Sequence, residues 1–304
     1  MKIFIAGGTG FVGGHVTREL LKHGHTLALL VHKRSPAPAD GVEQVEGDVT
    51  RLESFAHALY GCDAAINLVG IIREFPSQGV TFERLHVQAT ATMLTAARQA
   101  GVGRYLQMSA LGTRPHAVSA YHRTKFRAEE LVRASTLSCT ILRPSLIYGP
   151  QDAFVNLLAR QLRLMPVMPV MGDGRYRLQP IHADDVARCF ALSLEMPATI
   201  GRSFELCGND RLSFDDLLDA VAGAMGISPP LKPHAPLGLM KLIVPVMQHL
   251  PRFPITMDQL QMLIEESICD GGWKQTFGFE PRGFREGIGE YLGRQDGGRE
   301  EAGA

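Results

Sequence analysis

Cysteine is scarce in this sequence and never forms a paired motif. The cysteines are scattered, at Cys62, Cys139, Cys189, Cys207 and Cys269, and no Cys-x-x-Cys pair occurs. Paired spacing is typical of zinc sites, and an even set is typical of the disulfide frameworks of small secreted proteins. The odd, dispersed set therefore indicates reduced thiols in a cytoplasmic compartment, with neither a disulfide framework nor a metal site.

Long apolar runs and an excess of one charge are also missing. No segment reaches the roughly 18 uncharged apolar residues that a membrane span needs. Lys plus Arg and Asp plus Glu number 31 each, so we expect no nucleic-acid partner and no broad attraction to an anionic membrane. The apolar start of the chain ends in glycines without a small-residue cleavage site, which indicates a first strand rather than a secretory signal.

The sequence does contain apolar, β-rich stretches that alternate with helical ones. Its 304 residues, 45% of them hydrophobic, are enough for one large or two coupled domains. Buried strands are predicted at residues 2–6, 26–31, 64–69, 105–110 and 137–145. Strands that alternate with helices predict βαβ units, and therefore an α/β fold with a doubly wound parallel sheet.

The alternation fades after residue 150, which indicates a change of domain. We predict a dinucleotide-binding domain at residues 1–150, to which 178–200 return, and a smaller C-terminal substrate or lid domain at 151–293. The polar, Gly-rich tail at 294–304 is predicted to be disordered. Ser213 is expected to cap a helix within residues 212–226. Ligands should lie in the crevice beyond the carboxyl ends of the strands, roofed by residues after Pro150.

Three glycines mark the end of the first predicted strand. Gly7, Gly10 and Gly13 are spaced three apart in GGTGFVG and open a predicted helix. Such a turn needs unusual backbone torsions, close approach of a pyrophosphate, and tight packing of helix on strand. The helix N-terminus then offers unpaired N–H groups to a phosphate. The context predicts a dinucleotide site.

The residues after the second strand favour NADP(H) over NAD(H). Val31 stands where NAD-binding folds usually place an acid for the adenosine ribose, and His32, Lys33 and Arg34 follow it. Cations without a carboxylate suit a 2′-phosphate, although a solvated basic loop is the alternative. Asp48 follows a third strand and is either an acceptor for the adenine amino group or an ordinary turn residue.

Tyr121 and Lys125 form the main candidate catalytic pair. They are four residues apart in SAYHRTK, on one face of a predicted helix. A tyrosine phenol has a pKa near 10, and a nearby ammonium favours the phenolate and lowers that pKa. We expect Lys125 to lower the pKa of Tyr121, so that the pair moves a proton beside a nicotinamide.

Four motifs in this order resemble those of an extended short-chain dehydrogenase/reductase: GGTGFVG, YHRTK, LRPSLIYGP and IHADDVA. The resemblance covers residues 1–292. Within that superfamily the chain is most similar to the atypical group containing the NADPH-binding accessory subunit of respiratory complex I and its bacterial relatives. The stretches that suggest this group are INLVGIIRE at 66–74, LHVQAT at 85–90, MSALGT at 108–113 and GRYRLQPIHADDVA at 174–187.

The resemblance implies roles for the catalytic positions. Tyr121 is implied as the acid/base and Lys125 as the ligand of the nicotinamide ribose. The hydroxyl that orients a substrate carbonyl aligns with Ala110, and a shift of one residue places Ser109 there instead. The usual Asn of the family aligns with His86, which is either a proton relay or, as we favour, a packed and hydrogen-bonded histidine.

The resemblance also implies cofactor contacts along the chain. They include the three glycines, the basic residues 32–34, Asp48 and Lys125, which are described above. The further implied contacts are Thr9, Phe11, Val12, Val49, Leu68, Val69, Gly70 and Pro144.

The apolar stretch at residues 237–250 is either core of the C-terminal domain or a surface for a membrane face, a quinone-like substrate or a protein partner. Pro245 is expected to interrupt any helix there. At most, the stretch makes a peripheral membrane contact.

Three functions follow from these observations. The first is an NADP(H)-binding oxidoreductase acting on a small or quinone-related carbonyl or alcohol. The second is a non-catalytic NADPH-binding assembly, structural or redox-sensing protein, linked to respiratory complex I or quinone metabolism and cytoplasmic or peripheral at the inner membrane. The third, a nucleotide-sugar epimerase or dehydratase, ranks lower because Arg175 and Arg177 are displaced from the family's substrate-binding position.

Overall fold

Apolar stretches form strands in the computed structural model of the protein, which describes residues 1–35, 39–248 and 255–293. Within these ranges the strands are β1 Lys2–Ala6, β2 Thr26–Val31, β3 Val42–Glu46, β4 Ala64–Asn67, β5 Arg104–Met108, β6 Ser138–Pro144, β7 Ile147–Tyr148, β8 Val170–Met171, β9 Arg177–Leu178, β10 Ile181–His182, β11 Ser203–Leu206, β12 Leu212–Ser213 and β13 His234–Ala235. The predicted tail at 294–304 lies outside the described residues.

Helices follow most of these strands. They are α1 Phe11–Lys22, α2 Leu52–Phe55, α3 Ala89–Gln99, α4 Ala120–Ala134, α5 Ala153–Leu164, α6 Ala183–Glu195, α7 Phe214–Ala224, α8 Leu237–Met247, α9 Met257–Ile264, α10 Trp273–Phe277 and α11 Phe284–Leu292. Short 3-10 segments lie at Ala56–Leu59, Pro76–Gln78 and Pro197–Thr199, and a π-helical segment at Glu83–Gln88 runs directly into α3. None of the helices in these ranges is long and apolar enough to cross a bilayer.

Seven of the strands form one parallel sheet flanked by helices, in the order β11-β6-β5-β4-β1-β2-β3. Strand β1 pairs with β2 on one side and with β4 on the other, so Ala6 lies opposite both Leu30 and Asn67. The direction of winding therefore reverses at β1, which confirms the predicted doubly wound sheet. In such sheets ligands bind at the carboxyl ends of the strands beside the reversal.

The chain folds as two compact units. The first, which contains the seven-stranded sheet, holds Met1–Pro144 and Asp184–Leu206. Buried Arg104 on β5 ties the returning segment into this unit, because its guanidinium donates to the carbonyl of Ser193 and the hydroxyl of Thr199, both at 2.9 Å.

The second unit holds Ser145–Ala183 and the described residues from Cys207 onward. Its core includes Tyr148, Leu217 and Phe284, all fully buried. Helix α7 begins with the predicted cap, since the Ser213 hydroxyl accepts a hydrogen bond from the Asp216 amide at 3.1 Å while the Asp216 carboxylate accepts one from the Ser213 amide at 3.2 Å.

Two expectations about this second unit are corrected by the structure. Cys207 and Cys269 form a disulfide with their Cα atoms 6.1 Å apart, so these two cysteines are not reduced thiols. They are 62 residues apart in sequence, and only the folding of this unit brings them together. Pro245 does not interrupt helix α8 but lies inside its last turn. The missing N–H removes one i→i−4 hydrogen bond without ending the helix before Met247.

Candidate functional site

The turn between β1 and α1 is built from glycines that lie against neighbouring backbone. Gly7 has a φ of 82°, in the left-handed region that side chains rarely adopt. A Cβ at Gly7 would stand 2.9 Å from the carbonyl carbon of Leu68, and one at Gly13 would overlap the carbonyl oxygen of Gly7. At Gly10 the nearest atom to such a Cβ is 3.4 Å away. The turn is therefore close-packed on the side of β4 and open at Gly10.

Helix α1 begins at this open side without a side-chain cap. Gly10 is its N-cap, and within the described ranges no side chain accepts a hydrogen bond from the first turn at that position. Thr9 is exposed, Phe11 is partly buried and Val12 is buried. Uncapped N–H groups and the positive end of the helix dipole together favour an anion such as a phosphate.

The end of β2 presents the predicted cations to solvent. Val31 is buried as the last residue of the strand, and His32, Lys33 and Arg34 are all exposed. Val31 itself supplies no acid, and the carboxylate opposite it is that of the exposed Glu46 on β3.

Asp48 is held in place by hydrogen bonds after β3. Its Oδ1 accepts from the amide and hydroxyl of Thr50, each at 2.8 Å, and its Oδ2 accepts from the Arg84 guanidinium at 3.0 Å. Burial alone raises the pKa of Asp48, but the Thr50 hydrogen bonds and the positive charges of Arg84 and His32 outweigh it and lower the pKa from its ordinary value. Asp48 is therefore a fixed, ionised acceptor, and Val49 beside it is buried.

Lys125 lies against the loop that follows β4. Its Nζ donates to the carbonyls of Val69 and Met108, both at 3.3 Å. A Cβ at Gly70 would stand 2.9 Å from that Nζ, so glycine at this position makes room for the ammonium. Burial lowers the pKa of Lys125 to about 8, and the nearby Glu129 carboxylate partly opposes this shift.

Tyr121 is one helical turn before Lys125 and is surrounded by rings. Its ring meets those of Phe82, His86 and His122 edge to face, with centroids 5.2–5.8 Å apart. Burial raises the pKa of Tyr121 to about 12. The expectation that Lys125 lowers this pKa is therefore wrong, because burial is the cause of the shift and burial raises the pKa.

The Ser109 hydroxyl, which was expected beside Tyr121, forms its hydrogen bond with another hydroxyl group. Ser109 follows β5, is buried, and donates to the Thr113 hydroxyl at 3.4 Å. Ala110 next to it is buried too. Pro144, the last implied cofactor contact, ends β6 and accepts a hydrogen bond from the Leu111 amide at 2.8 Å.

His86 is buried in the π-helical segment and hydrogen-bonded on both ring nitrogens. Nδ1 is 2.9 Å from the Thr124 hydroxyl and Nε2 is 3.2 Å from the Ile71 carbonyl. Burial, together with the positive charge of Lys125, lowers the pKa of His86 to about 2. His86 is thus a neutral histidine that joins the loop after β4 to helix α4. This geometry matches the packed histidine that we favoured over a proton relay.

A buried polar network beneath this loop was missed by the sequence reasoning. The Asn67 amide donates to the Thr90 hydroxyl at 3.2 Å and to Gln107 at 3.1 Å, while its oxygen accepts from the Val69 amide at 3.1 Å. The network fixes the loop that carries Leu68, Val69 and Gly70. The available signal was a polar residue near the carboxyl end of each of two neighbouring strands, Asn67 as the last residue of β4 and Gln107 as the second-last residue of β5.

These residues fit a nicotinamide dinucleotide. The glycine turn leaves space beside an uncapped helix N-terminus, and an ammonium lies at the carboxyl ends of β4 and β5. The family model described as the NAD dependent epimerase/dehydratase family matches residues 3–207.

The chain belongs to the NAD dependent epimerase/dehydratase family. Members of this family bind an NAD(P) nucleotide and have the fold of oxidoreductases. Membership confirms the resemblance to extended short-chain dehydrogenases/reductases that the motifs indicated.

The names of two proteins that are similar to this chain describe different functions. The chain is 25% identical over 225 residues to NADH dehydrogenase (ubiquinone) 1 alpha subcomplex subunit 9, mitochondrial, of Dictyostelium discoideum. That match covers 71% of this chain but 62% of the relative, so the chain spans less than two thirds of that protein. It is 29% identical over 232 residues to ceramide reductase of Caulobacter vibrioides, covering 75% of this chain and 72% of the reductase.

Solved structures support the fold. The UDP-glucose 4-epimerase of Thermotoga maritima superposes with a TM-score of 0.75 over 97% of this chain and 99% of that one. At 20% identity this similarity shows a shared fold alone.

Proposed function

We propose that the protein is an NADP(H)-dependent oxidoreductase that acts on a carbonyl or alcohol of a small, quinone-related or lipid-chain substrate. The observation that carries the proposal is the Tyr121–Lys125 pair on α4, with the Lys125 ammonium held at the carboxyl ends of β4 and β5. The lipid-chain class is added because of the similarity to ceramide reductase.

The protonation states of the pair favour the reductive direction. With its pKa raised to about 12, Tyr121 is protonated near neutral pH and can donate its proton to a carbonyl oxygen. With its pKa at about 8, Lys125 is mostly an ammonium, and it can bind the nicotinamide ribose through its remaining N–H group. The bound dinucleotide supplies the hydride that completes reduction of the carbonyl.

The preference for NADP(H) rests on the exposed cations after β2. His32, Lys33 and Arg34 follow a buried Val31, so the chain directly after β2 offers positive charge, while the nearest carboxylate in register is Glu46 on the neighbouring strand β3. A 2′-phosphate is bound most strongly by such a surface.

The experiment compares two single variants at the pair. Lys125→Ala should weaken NADPH binding in a titration, since it removes a ligand of the ribose. Tyr121→Phe should leave that binding nearly unchanged and abolish turnover on a panel of carbonyls, quinones and keto-lipids. Equal effects of both variants on binding and turnover would contradict the assigned roles.

A second candidate is a non-catalytic NADPH-binding protein that assembles with a respiratory or quinone-pathway partner at the inner membrane. Ala110 at the expected hydroxyl position favours it, as does the similarity to a complex I subunit. Native mass spectrometry of freshly purified protein tests it. Retained NADPH, a stable partner and no turnover on the panel would support this candidate over the first.

A nucleotide-sugar epimerase ranks third. Arg177 forms an ion pair with Glu266, with both nitrogen–oxygen distances below 3 Å. This arginine is already engaged in the second unit, whereas a diphosphate needs fixed cations that are available to it.

A further inference from the structure

His122 follows Tyr121 directly on helix α4, and the proposed function assigns it no task. Its side chain is buried, and its Nδ1 is 2.9 Å from the Ser119 hydroxyl. The His122 amide donates to that same hydroxyl at 3.2 Å. Ser119 is fully buried and is the N-cap of α4. The imidazole is therefore fixed to the first turn of the helix that carries Tyr121.

The other side of the imidazole meets the connection between β5 and α4. A Cβ at Gly112 would stand 3.3 Å from His122 Nε2 and 3.4 Å from its Cε1. Gly112 also has a φ of 85°, which side chains rarely adopt. The backbone at Gly112 therefore lies against the edge of the imidazole, in the space that a side chain would otherwise fill.

This connection carries two hydroxyl groups, which we call the hydroxyl pair. Ser109 and Thr113 are both buried, and their hydroxyl oxygens are 3.4 Å apart. Gly112 lies between them in sequence, and the Leu111 amide donates to the Pro144 carbonyl at 2.8 Å. The hydroxyl pair thus belongs to a loop that is fastened to β6, and the imidazole joins that loop to α4.

The imidazole also contacts the ring of Tyr121. The two rings meet edge to face, with centroids 5.2 Å apart and planes at 74°. Rings that pack in this way exclude water from the phenol, which is the physical reason for its raised pKa. His122 therefore touches both the ring that would donate a proton and the loop that carries the hydroxyl pair.

We infer that His122 is a positioning residue for carbonyl reduction. It holds the Tyr121 phenol and the hydroxyl pair in one arrangement, so that a carbonyl oxygen can accept a hydrogen bond from each. The inference rests on the proposed function, since it concerns the same site. Donors that are placed before the reaction stabilise developing charge best, and a misplacement of about 1 Å costs roughly a hundredfold in rate.

The first test compares turnover in two variants on the panel of carbonyls, quinones and keto-lipids. His122→Asn can keep the hydrogen bond to Ser119 but is too short to reach Gly112. It should keep the unfolding midpoint, the NADPH affinity and KM, while kcat falls roughly tenfold to a hundredfold. His122→Ala should lower kcat as much and the unfolding midpoint as well, because it removes the ring partner of the buried Ser119 hydroxyl.

The second test does not depend on turnover. Tetranitromethane nitrates a tyrosine through its phenolate, and mass spectrometry of the digested protein compares Tyr121 with Tyr60, which is 62% exposed. Loss of the imidazole admits water to the phenol, so the pKa of Tyr121 should fall from about 12 toward its ordinary value. Each pH unit of this fall raises the phenolate fraction about tenfold. Nitration of Tyr121 relative to Tyr60 should therefore rise about tenfold or more in both variants.

The third test examines the contact between the imidazole and the loop. Gly112→Ala should lower the unfolding midpoint less in the His122→Ala background than in the unchanged protein, because the ring that faces the new Cβ is absent. The matched control is His116→Ala, the same change at an exposed histidine of the same connection. It should leave kcat, NADPH affinity and the nitration ratio unchanged.

Three results would each overturn the inference. They are unchanged nitration of Tyr121 in both His122 variants, equal losses from Gly112→Ala in the two backgrounds, and a kcat in His122→Asn equal to that of His116→Ala. If even the unchanged protein turns over no substrate of the panel, the proposed function fails. The nitration ratio and the coupling to Gly112 then still decide whether His122 holds the phenol and the loop together.

Discussion

Replacing Gly10 with alanine separates the stability of the glycine turn from its capacity to bind a dinucleotide. Gly10 has a φ of −74°, which alanine adopts readily, and the added Cβ would meet its nearest atom at 3.4 Å, an ordinary contact. Alanine is a poorer N-cap than glycine, so Gly10→Ala should destabilise the protein by about 0.5–1 kcal/mol.

Binding should suffer far more than stability. The new methyl group would stand at the exposed start of α1, where a pyrophosphate must approach the N–H groups of the first turn. Loss of one or two hydrogen bonds to a charged group costs about 1.5–3 kcal/mol each, which corresponds to roughly a tenfold to twenty-thousandfold loss of affinity.

Two neighbouring glycines provide the comparison. A Cβ at Gly14 would meet nothing within 4 Å, so Gly14→Ala should stabilise the helix by about 0.5–1 kcal/mol and leave affinity unchanged. Gly13→Ala would force overlap with the carbonyl oxygen of Gly7 and should cost at least about 1–3 kcal/mol.

Urea denaturation measures the stabilities, and titration of NADPH followed by fluorescence measures the affinities. If Gly10→Ala bound NADPH as tightly as Gly14→Ala, the pyrophosphate would not approach α1 at Gly10. The assignment of the turn as the cofactor site would then be refuted.

Three further predictions concern titration and adenine recognition. NADPH affinity should fall as the pH rises through about 8, because the Lys125 ammonium is lost there, and Lys125→Met should remove this dependence. The free energy of unfolding, measured in urea, should fall as the pH drops below 6.5, by up to about 1.4 kcal/mol per pH unit. The reason is that His86 takes up a proton in the unfolded chain but not in the folded protein. His86→Gln should make this fall smaller. NADPH should bind more tightly than its hypoxanthine analogue if Asp48 accepts a hydrogen bond from the adenine amino group, as we predict. Asp48→Asn should reverse that preference in parallel titrations and Arg84→Gln should reduce it.

Local features of the sequence were sufficient to predict the sheet and the glycine turn. Strands β1, β2 and β4 are short apolar runs, whereas β3 is largely polar. The close packing at Gly7 and Gly13 is the physical reason for glycine at those positions. The cap at Ser213 was equally local, because its partner Asp216 is three residues away. Such features depend on neighbours in sequence and are therefore visible in it.

Contacts between distant residues explain what the sequence did not reveal. The link from Arg84 to Asp48 spans 36 residues and depends on a π-helical segment that no propensity indicates. The Tyr121 phenol was expected to titrate more easily beside Lys125, yet the rings packed around it remove the solvent that ionisation requires. Burial is a property of the assembled fold, and so its effect on pKa was misjudged.

The anchoring of Arg104 bears on how the protein is dissected and synthesised. A fragment that stops near residue 150 would keep this buried guanidinium but lose its acceptors on Ser193 and Thr199. It would also leave β6 as an uncovered edge, because β11 normally pairs with it. Such a fragment should aggregate, and on the ribosome the nucleotide-binding half should reach its native state only after residue 206 has emerged.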